Sequence, residues 1–313
     1  MIRKLFLGAV LLIGAGSVGV TLFSWQQTRT NAAAAADFFT SEDRYVEVDG
    51  LDVRVRIEGP ENAPTLLMLH GFTFSLESYD ELAAQLDDTF RVIRYDMRGH
   101  GLTGPDPEKR YSPEQRAAHV GAVLDALGVE AAAIMGNSLG GLAAWRYAAS
   151  VPDRVDALIL VSPGAYPING VTDEPAPVPA ALAAYFRLLP EAGIDASIER
   201  IYADASRISD ERKATIKAMM RAPGNGAAFI DAVEVFTLPD PEPALSGLDV
   251  PTLIIWGDDD VVIDPAHGRK MRSVMPQAEL LMLAGVGHAA HEEVPERVAR
   301  EVRRFLGEPR NES

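Results

Sequence analysis

The sequence predicts an α/β fold: a mostly parallel sheet with helices on both faces and a helical insertion between two of its strands. Three observations carry that expectation. Continuous apolar runs recur at Thr65–Leu69, Arg91–Tyr95, Ala131–Met135, Ala157–Val161, Thr252–Trp256 and Glu279–Leu283. Runs of that length read as strands buried on both faces. Segments of helical period, such as Glu114 to Leu127, separate most of them. The rhythm then breaks between Gly164 and Gly247, a proline-rich stretch with helix-like pieces at Ala180–Leu189 and Glu211–Met220. It is too long to be one loop without structure of its own. Because the strand pattern resumes at Leu253, a cap inserted over about residues 165–246 is more economical than two independent domains.

Upstream of the sheet, Tyr45 to Ile57 alternates polar and apolar residues around Asp49-Gly50, the pattern of a short antiparallel hairpin. The first 36 residues differ in kind from the domain expected over 37–313. Arg3 and Lys4 precede an uncharged run from Leu5 to Phe23. At about 1.5 Å per residue, a helix of that length approaches the ~30 Å hydrocarbon thickness. The flanking positives favour an N-terminus inside and the rest of the chain outside the cytoplasm. A cleaved signal peptide, with small residues in Asn31 to Ala36, is the rival, and it would leave a secreted or periplasmic protein. Membrane contact is therefore expected only through an uncleaved N-terminal helix. Gly14-Ala15-Gly16-Ser17-Val18-Gly19 matches a dinucleotide-binding fingerprint, but no second strand follows before Asp37, so no cofactor is expected.

The chain has 313 residues, is 47% hydrophobic and carries a formal charge of −16, with no cysteine. The apolar fraction suits a packed core. The acidity argues against nucleic acid, whose phosphates reward clustered Lys and Arg. The absence of cysteine excludes disulfides, thiolate metal sites and a cysteine nucleophile. Asp258, Asp259 and Asp260 form an acidic run, yet Val261, Val262 and Ile263 fall where a calcium loop needs oxygen ligands and a glycine. No metal is expected there.

The chemistry points to one serine. Gly136-Asn137-Ser138-Leu139-Gly140 lies between the apolar Ala131–Met135 and a helix-like Leu142–Ala149. A serine at such a junction sits on a sharp strand-to-helix turn, with glycines where side chains would clash. The N–H of Leu139 at the helix start is placed to stabilise an oxyanion, and the N–H of Phe72, after Thr65–Leu69, is the second candidate donor. The base is expected at His288, in a loop after Glu279–Leu283 and before the helix-like Pro295–Phe305. His70 and His100 stand in glycine-flanked loops as structural residues. The orienting acid should follow another strand between serine and histidine, and Asp258, Asp259 and Asp260 all qualify by spacing.

Five separated segments resemble the α/β-hydrolase fold family. They are His70-Gly71-Phe72, the turn Asp96 to Gly101, the serine turn Gly136 to Gly140, Trp256-Gly257-Asp258-Asp259-Asp260, and Gly287-His288 through Glu293-Val294-Pro295. The resemblance implies Asp260 as the acid and His288 as the base. Serine at position 138 sets the chain apart from the haloalkane dehalogenase and epoxide hydrolase branches, which use aspartate there. Carbon–carbon bond hydrolases of aromatic ring-cleavage products usually show glycines after the His-Gly pair and a tryptophan after the histidine. Here Phe72-Thr73-Phe74 and Ala289 occupy those places.

The expected function is a carboxylesterase- or lipase-type serine hydrolase. Ser138, His288 and Asp260 would cleave a small-molecule ester through an acyl-enzyme, without a cofactor. Carbon–carbon bond hydrolysis or perhydrolysis by the same triad is the alternative, and a non-catalytic binding protein would require a missing triad member. Tyr166, Tyr185, Phe186, Leu188, Met219, Phe229 and Phe236 are candidates either for lining the substrate cavity or for the ordinary core of the cap.

Overall fold

Eight strands form one sheet in the order β1-β2-β4-β3-β5-β6-β7-β8. They are β1 (Asp43–Val48), β2 (Leu51–Glu58), β3 (Thr65–Leu69), β4 (Arg91–Tyr95), β5 (Ala132–Asn137), β6 (Val155–Val161), β7 (Thr252–Gly257) and β8 (Glu279–Leu283). The computed structural model describes residue 33 and residues 36–307. The Leu5–Phe23 run and the Gly14–Gly19 match lie outside them. Among the described residues, no helix is long and apolar enough to cross a membrane.

The β1–β2 hairpin is antiparallel, β2 pairs antiparallel with β4, and every later pairing is parallel. Asp49 and Gly50 form the hairpin turn with φ of 52° and 78°. Two positive φ values match the right-handed twist of the flanking strands. The predicted strands stand where the apolar runs are, with β5, β6 and β7 each longer than expected by one or two residues. β5 runs on to Asn137, so the residue before the serine is still in the sheet.

The helices are α1 (Asp80–Ala83), α2 (Pro113–Ala126), α3 (Leu139–Ser150), α4 (Ala180–Leu188), α5 (Glu191–Ile201), α6 (Asp210–Met220), α7 (Asn225–Glu234), α8 (Glu242–Ser246), α9 (Ala266–Val274), α10 (Ala290–Glu293) and α11 (Pro295–Leu306). Alternation along the buried strands divides the core in two. Leu67, Leu69, Ile134, Leu160 and Ile254 pack on the face covered by α2, α3 and α9. Leu66, Met68, Met135, Ile159 and Ile255 pack on the face covered by α1 and α11. Both faces are apolar because both are covered, which is why these strands read as continuous runs. Helix α2 starts with a capping box: Ser112 accepts from the Gln115 N–H and Gln115 accepts from the Ser112 N–H.

Five helices, α4 to α8, lie between β6 and β7. They do not share one core. Phe186, Ile194, Ile198, Ile216, Met220 and Phe229 cluster among themselves over the serine end of the sheet. Ala165 and Tyr166, before α4, and Leu238, Leu245 and Leu248, around α8, pack instead with the sheet core. The flanks of the expected cap therefore belong structurally to the sheet side.

One buried network is charged. Arg54 of β2 is fully buried and faces Asp43 at 2.6 Å, Glu77 at 2.7 Å and Asp96 at 3.3 Å. Asp96 also accepts from the N–H groups of Leu76 and Leu102, each at 2.8 Å. The network thus ties the hairpin to the Asp96–Gly101 turn. At Gly101 (φ 50°), an added Cβ would lie 2.1 Å from the Asp96 Cγ, which explains the glycine.

Candidate active site

Ser138 sits between β5 and α3 with φ 52° and ψ −111°. A non-glycine residue in that region is strained, and it persists only where its surroundings over-determine it. Two glycines do so. A Cβ on Gly136 would lie 2.4 Å from the Gly140 carbonyl oxygen, and one on Gly140 would lie 2.2 Å from the Leu69 carbonyl oxygen. The turn can close only without those atoms, and it leaves Ser138 half-buried at the end of the sheet.

His288 lies on the loop between β8 and α10, 5% exposed, and its Nδ1 is 2.8 Å from Asp260 Oδ2. Asp260 also accepts from the N–H groups of Val262 and Ile263. Burial works to raise its carboxyl, but the bonds from His288 and from these two N–H groups hold it below its ordinary value. The other two acids of the run are exposed. Asp258 is occupied with the Gly285 N–H.

Ser138 and His288 line one cavity of about 290 Å³ with Gly71, Phe72, Tyr185 and Phe186. Among the described residues, the serine hydroxyl has no hydrogen bond to His288. Such bonds are often long in ligand-free enzymes and tighten with substrate. The backbone N–H groups of Phe72 and Leu139 have no acceptor among the described residues. The structure thus brings Asp260 to His288, and His288, Ser138 and Phe72 to one cavity.

The cap candidates divide between cavity lining and core. Tyr185, Phe186 and Phe236 line cavities at Ser138. Leu188 is 76% exposed, while Met219, Phe229 and Tyr166 are buried in packing. Tyr166 stacks against His267 and Lys270 instead. Helical spacing alone does not say which face of a short cap helix looks down on the sheet.

His70 plays the structural part expected of it. Its Nε2 accepts from the Met97 N–H, its Nδ1 lies 2.8 Å from the Gly71 carbonyl, and burial pushes its pKa down to about 4. A neutral imidazole here ties the Phe72 loop to the Asp96 turn.

The family model for the alpha/beta hydrolase fold matches residues 64–295. The chain belongs to the α/β-hydrolase fold family. It is 27% identical over 270 residues to the esterase YbfF of Escherichia coli (strain K12), covering 82% of this chain and 99% of that one. It is 28% identical over 282 residues to the 2-hydroxy-6-oxononadienedioate/2-hydroxy-6-oxononatrienedioate hydrolase of Burkholderia vietnamiensis, covering 85% of this chain and 96% of that one. Among solved structures, the enol-lactonase of Burkholderia xenovorans LB400 aligns with a TM-score of 0.71 at 28% identity, covering 84% of this chain and 99% of that one.

Three residues of this hydrolase-fold site carry a role that the sequence reading did not assign. Asn137 donates through Nδ2 to the carbonyls of Val161 and His288, each at 3.1 Å, joining the serine turn to the histidine loop. Glu292 and Glu293 clamp that loop to the cap. Glu293 accepts from the N–H of Gly287 at 3.0 Å, the N–H of Ala203 at 3.1 Å and Arg207 at 2.9 Å. Glu292 takes Arg212 and the Tyr202 hydroxyl. The His288 N–H itself donates to the Ile201 carbonyl at 2.7 Å. The adjacent acids after the histidine were a visible signal, but their partners lie some eighty residues upstream, at Tyr202 to Arg212.

Removing the clamp should therefore displace His288 without touching it. Glu293→Ala is expected to lower kcat by up to about 10², the scale of a small misplacement of a catalytic group. Glu293→Gln, which keeps one acceptor oxygen, should lose less. Steady-state kinetics on both variants checks this, and a Glu293→Ala enzyme with wild-type kcat would contradict it.

Proposed function

We propose that this protein is a serine hydrolase that cleaves carboxylic esters through an acyl-enzyme. The observation that carries the reading is the 2.8 Å His288–Asp260 hydrogen bond beside a strained serine lining the same cavity as the histidine. Ser138 Oγ attacks the ester carbonyl as His288 Nε2 takes its proton. Asp260 holds the imidazole in the tautomer with Nδ1 protonated and stabilises the imidazolium. The N–H groups of Phe72 and Leu139 receive the oxyanion. The alcohol leaves with the proton from His288, and a water activated by the same imidazole releases the acid. The relationship to an Escherichia coli esterase supports ester chemistry. Carbon–carbon bond hydrolysis stands as the second reading because a relative of equal similarity bears that kind of name.

Full-length protein should hydrolyse p-nitrophenyl esters from acetyl to longer acyl chains, and the chain-length profile should report the acyl cavity. Folded enzyme that leaves every ester intact while cleaving a ring-cleavage dienoate would replace the first reading with the second.

The same proposal places residues 1–36 as an anchor that holds the domain outside the cytoplasm, or as a signal removed on export. Fractionation with intact-mass analysis separates them. A full-length chain in the membrane means an anchor, and a chain shortened near Asn31 to Ala36 means a signal. Full-length chain free in the cytoplasm would contradict both.

A further inference from the structure

Ser138 stands between two cavities, and on the esterase reading each receives one arm of the ester. His288 hands its proton to the departing alcohol oxygen, so the alcohol arm lies in the cavity that His288 lines. The acyl arm falls to the other, of about 200 Å³, walled by Phe72, Leu139, Leu142, Ile168, Phe236 and Arg116. Apart from Arg116 and Ser138 itself, every side chain on that wall is apolar.

Arg116 is the anomaly. It is 4% exposed. Its Nε donates to the Tyr111 carbonyl and its Nη1 to the Arg98 carbonyl, each at 3.1 Å, and the guanidinium lies 5.5 Å from the Tyr111 ring centroid. Its Nη2 has no hydrogen-bond partner among the described residues. The other deeply buried arginines each face a carboxylate: Arg54 has Asp43, Arg94 has Glu58 and Arg98 has Asp49. Among the described residues, Arg116 has none within ion-pair distance. Burial lowers its pKa to about 10, so the group keeps its proton at neutral pH. A buried cation without a counter-ion is costly, and a ligand that brings the missing negative charge is bound in preference to one that does not.

We propose that the acyl cavity selects an acid-terminated chain: the acyl group ends in a carboxylate that Arg116 receives, so the preferred substrates are half-esters of short dicarboxylic acids. Water and the half-ester give the dicarboxylate, the free alcohol and one proton, with no other reactant. The inference rests on the esterase reading for the assignment of arms, but the anion site can be tested without turnover.

The kinetic test compares monomethyl glutarate with methyl pentanoate, which differ at the chain end, by following methanol release. Wild type should favour the half-ester in kcat/KM by about tenfold or more, the worth of one charge-assisted hydrogen bond. Arg116→Gln should bring the ratio to about one, whatever it does to the absolute rate on methyl pentanoate. A residue that only supports the fold would lower both rates together. The binding test measures monomethyl glutarate and methyl pentanoate by calorimetry on full-length Ser138→Ala, with Arg116 intact. Tighter binding of the half-ester supports the anion site even if no ester is turned over, in which case the esterase reading alone fails. Ester turnover without preference for the half-ester, or half-ester binding no tighter than that of methyl pentanoate, overturns the proposal whether or not the Arg116→Gln protein folds.

Discussion

Asp260→Asn is expected to lower kcat by about 10⁴ while the protein stays folded. The asparagine amide would offer an N–H where the carboxylate accepts from His288 Nδ1 at 2.8 Å. The imidazole would then carry its proton on Nε2, facing Ser138, and could not act as its base. Ser138→Ala should cost more, about 10⁶, and the double variant should be no slower than Ser138→Ala alone, because the groups work as a unit. Steady-state kinetics on one ester, with melting curves to show folding, checks all three. An Asp260→Asn enzyme within a few-fold of wild type would move the orienting acid elsewhere.

Arg54→Met is expected to be the most damaging single change to stability. It would leave Asp43, Glu77 and Asp96 buried around an uncharged side chain. Arg56 still reaches Asp43 at 2.6 Å, so Asp96 is the carboxylate left most exposed to the loss. Removing one partner from a buried ion pair typically costs about 3–5 kcal/mol, which for a domain of this size lowers Tm by about 10 °C. The loss should depend on pH. Burial pushes the Asp96 carboxyl up to about 6 even with Arg54 present, so the folded state binds its proton more readily than the unfolded chain. Such a group adds stability as pH falls through its folded pKa. The deficit of Arg54→Met against wild type should therefore narrow from pH 8 to pH 5 as Asp96 is neutralised. Melting curves across that range test the sign, and a deficit that widens on acidification would contradict it.

Much of the fold was legible because buried parallel strands leave continuous apolar runs, and Thr65–Leu69, Arg91–Tyr95 and Glu279–Leu283 stand at their expected bounds. The serine turn was legible for a different reason. Gly136 and Gly140 are required by contacts of 2.4 and 2.2 Å that any side chain would violate, so steric necessity writes itself into the sequence. Spacing could not choose among Asp258, Asp259 and Asp260, because adjacent loop residues differ by direction and not by distance along the chain. The resemblance pointed to Asp260, and that is the residue beside His288. Two other features had no local signature. The Glu292–Glu293 clamp joins segments that meet only once the cap has folded over the sheet. Arg116 is buried on α2 beside Ala117, His119 and Val120, and nothing in those neighbours announces that no carboxylate comes near it. The prolines and helical pieces of the cap are continuous in sequence, whereas packing assigns Leu238, Leu245 and Leu248 to the sheet side.

Covalent labelling reports whether Ser138 is an activated nucleophile. Full-length protein treated with a fluorophosphonate should gain one adduct by intact mass, and peptide mapping should place it on Ser138. Labelling should be abolished in Ser138→Ala and strongly slowed in His288→Ala. Folded wild-type protein that gains no adduct, or carries it on another residue, would show that Ser138 is not the nucleophile.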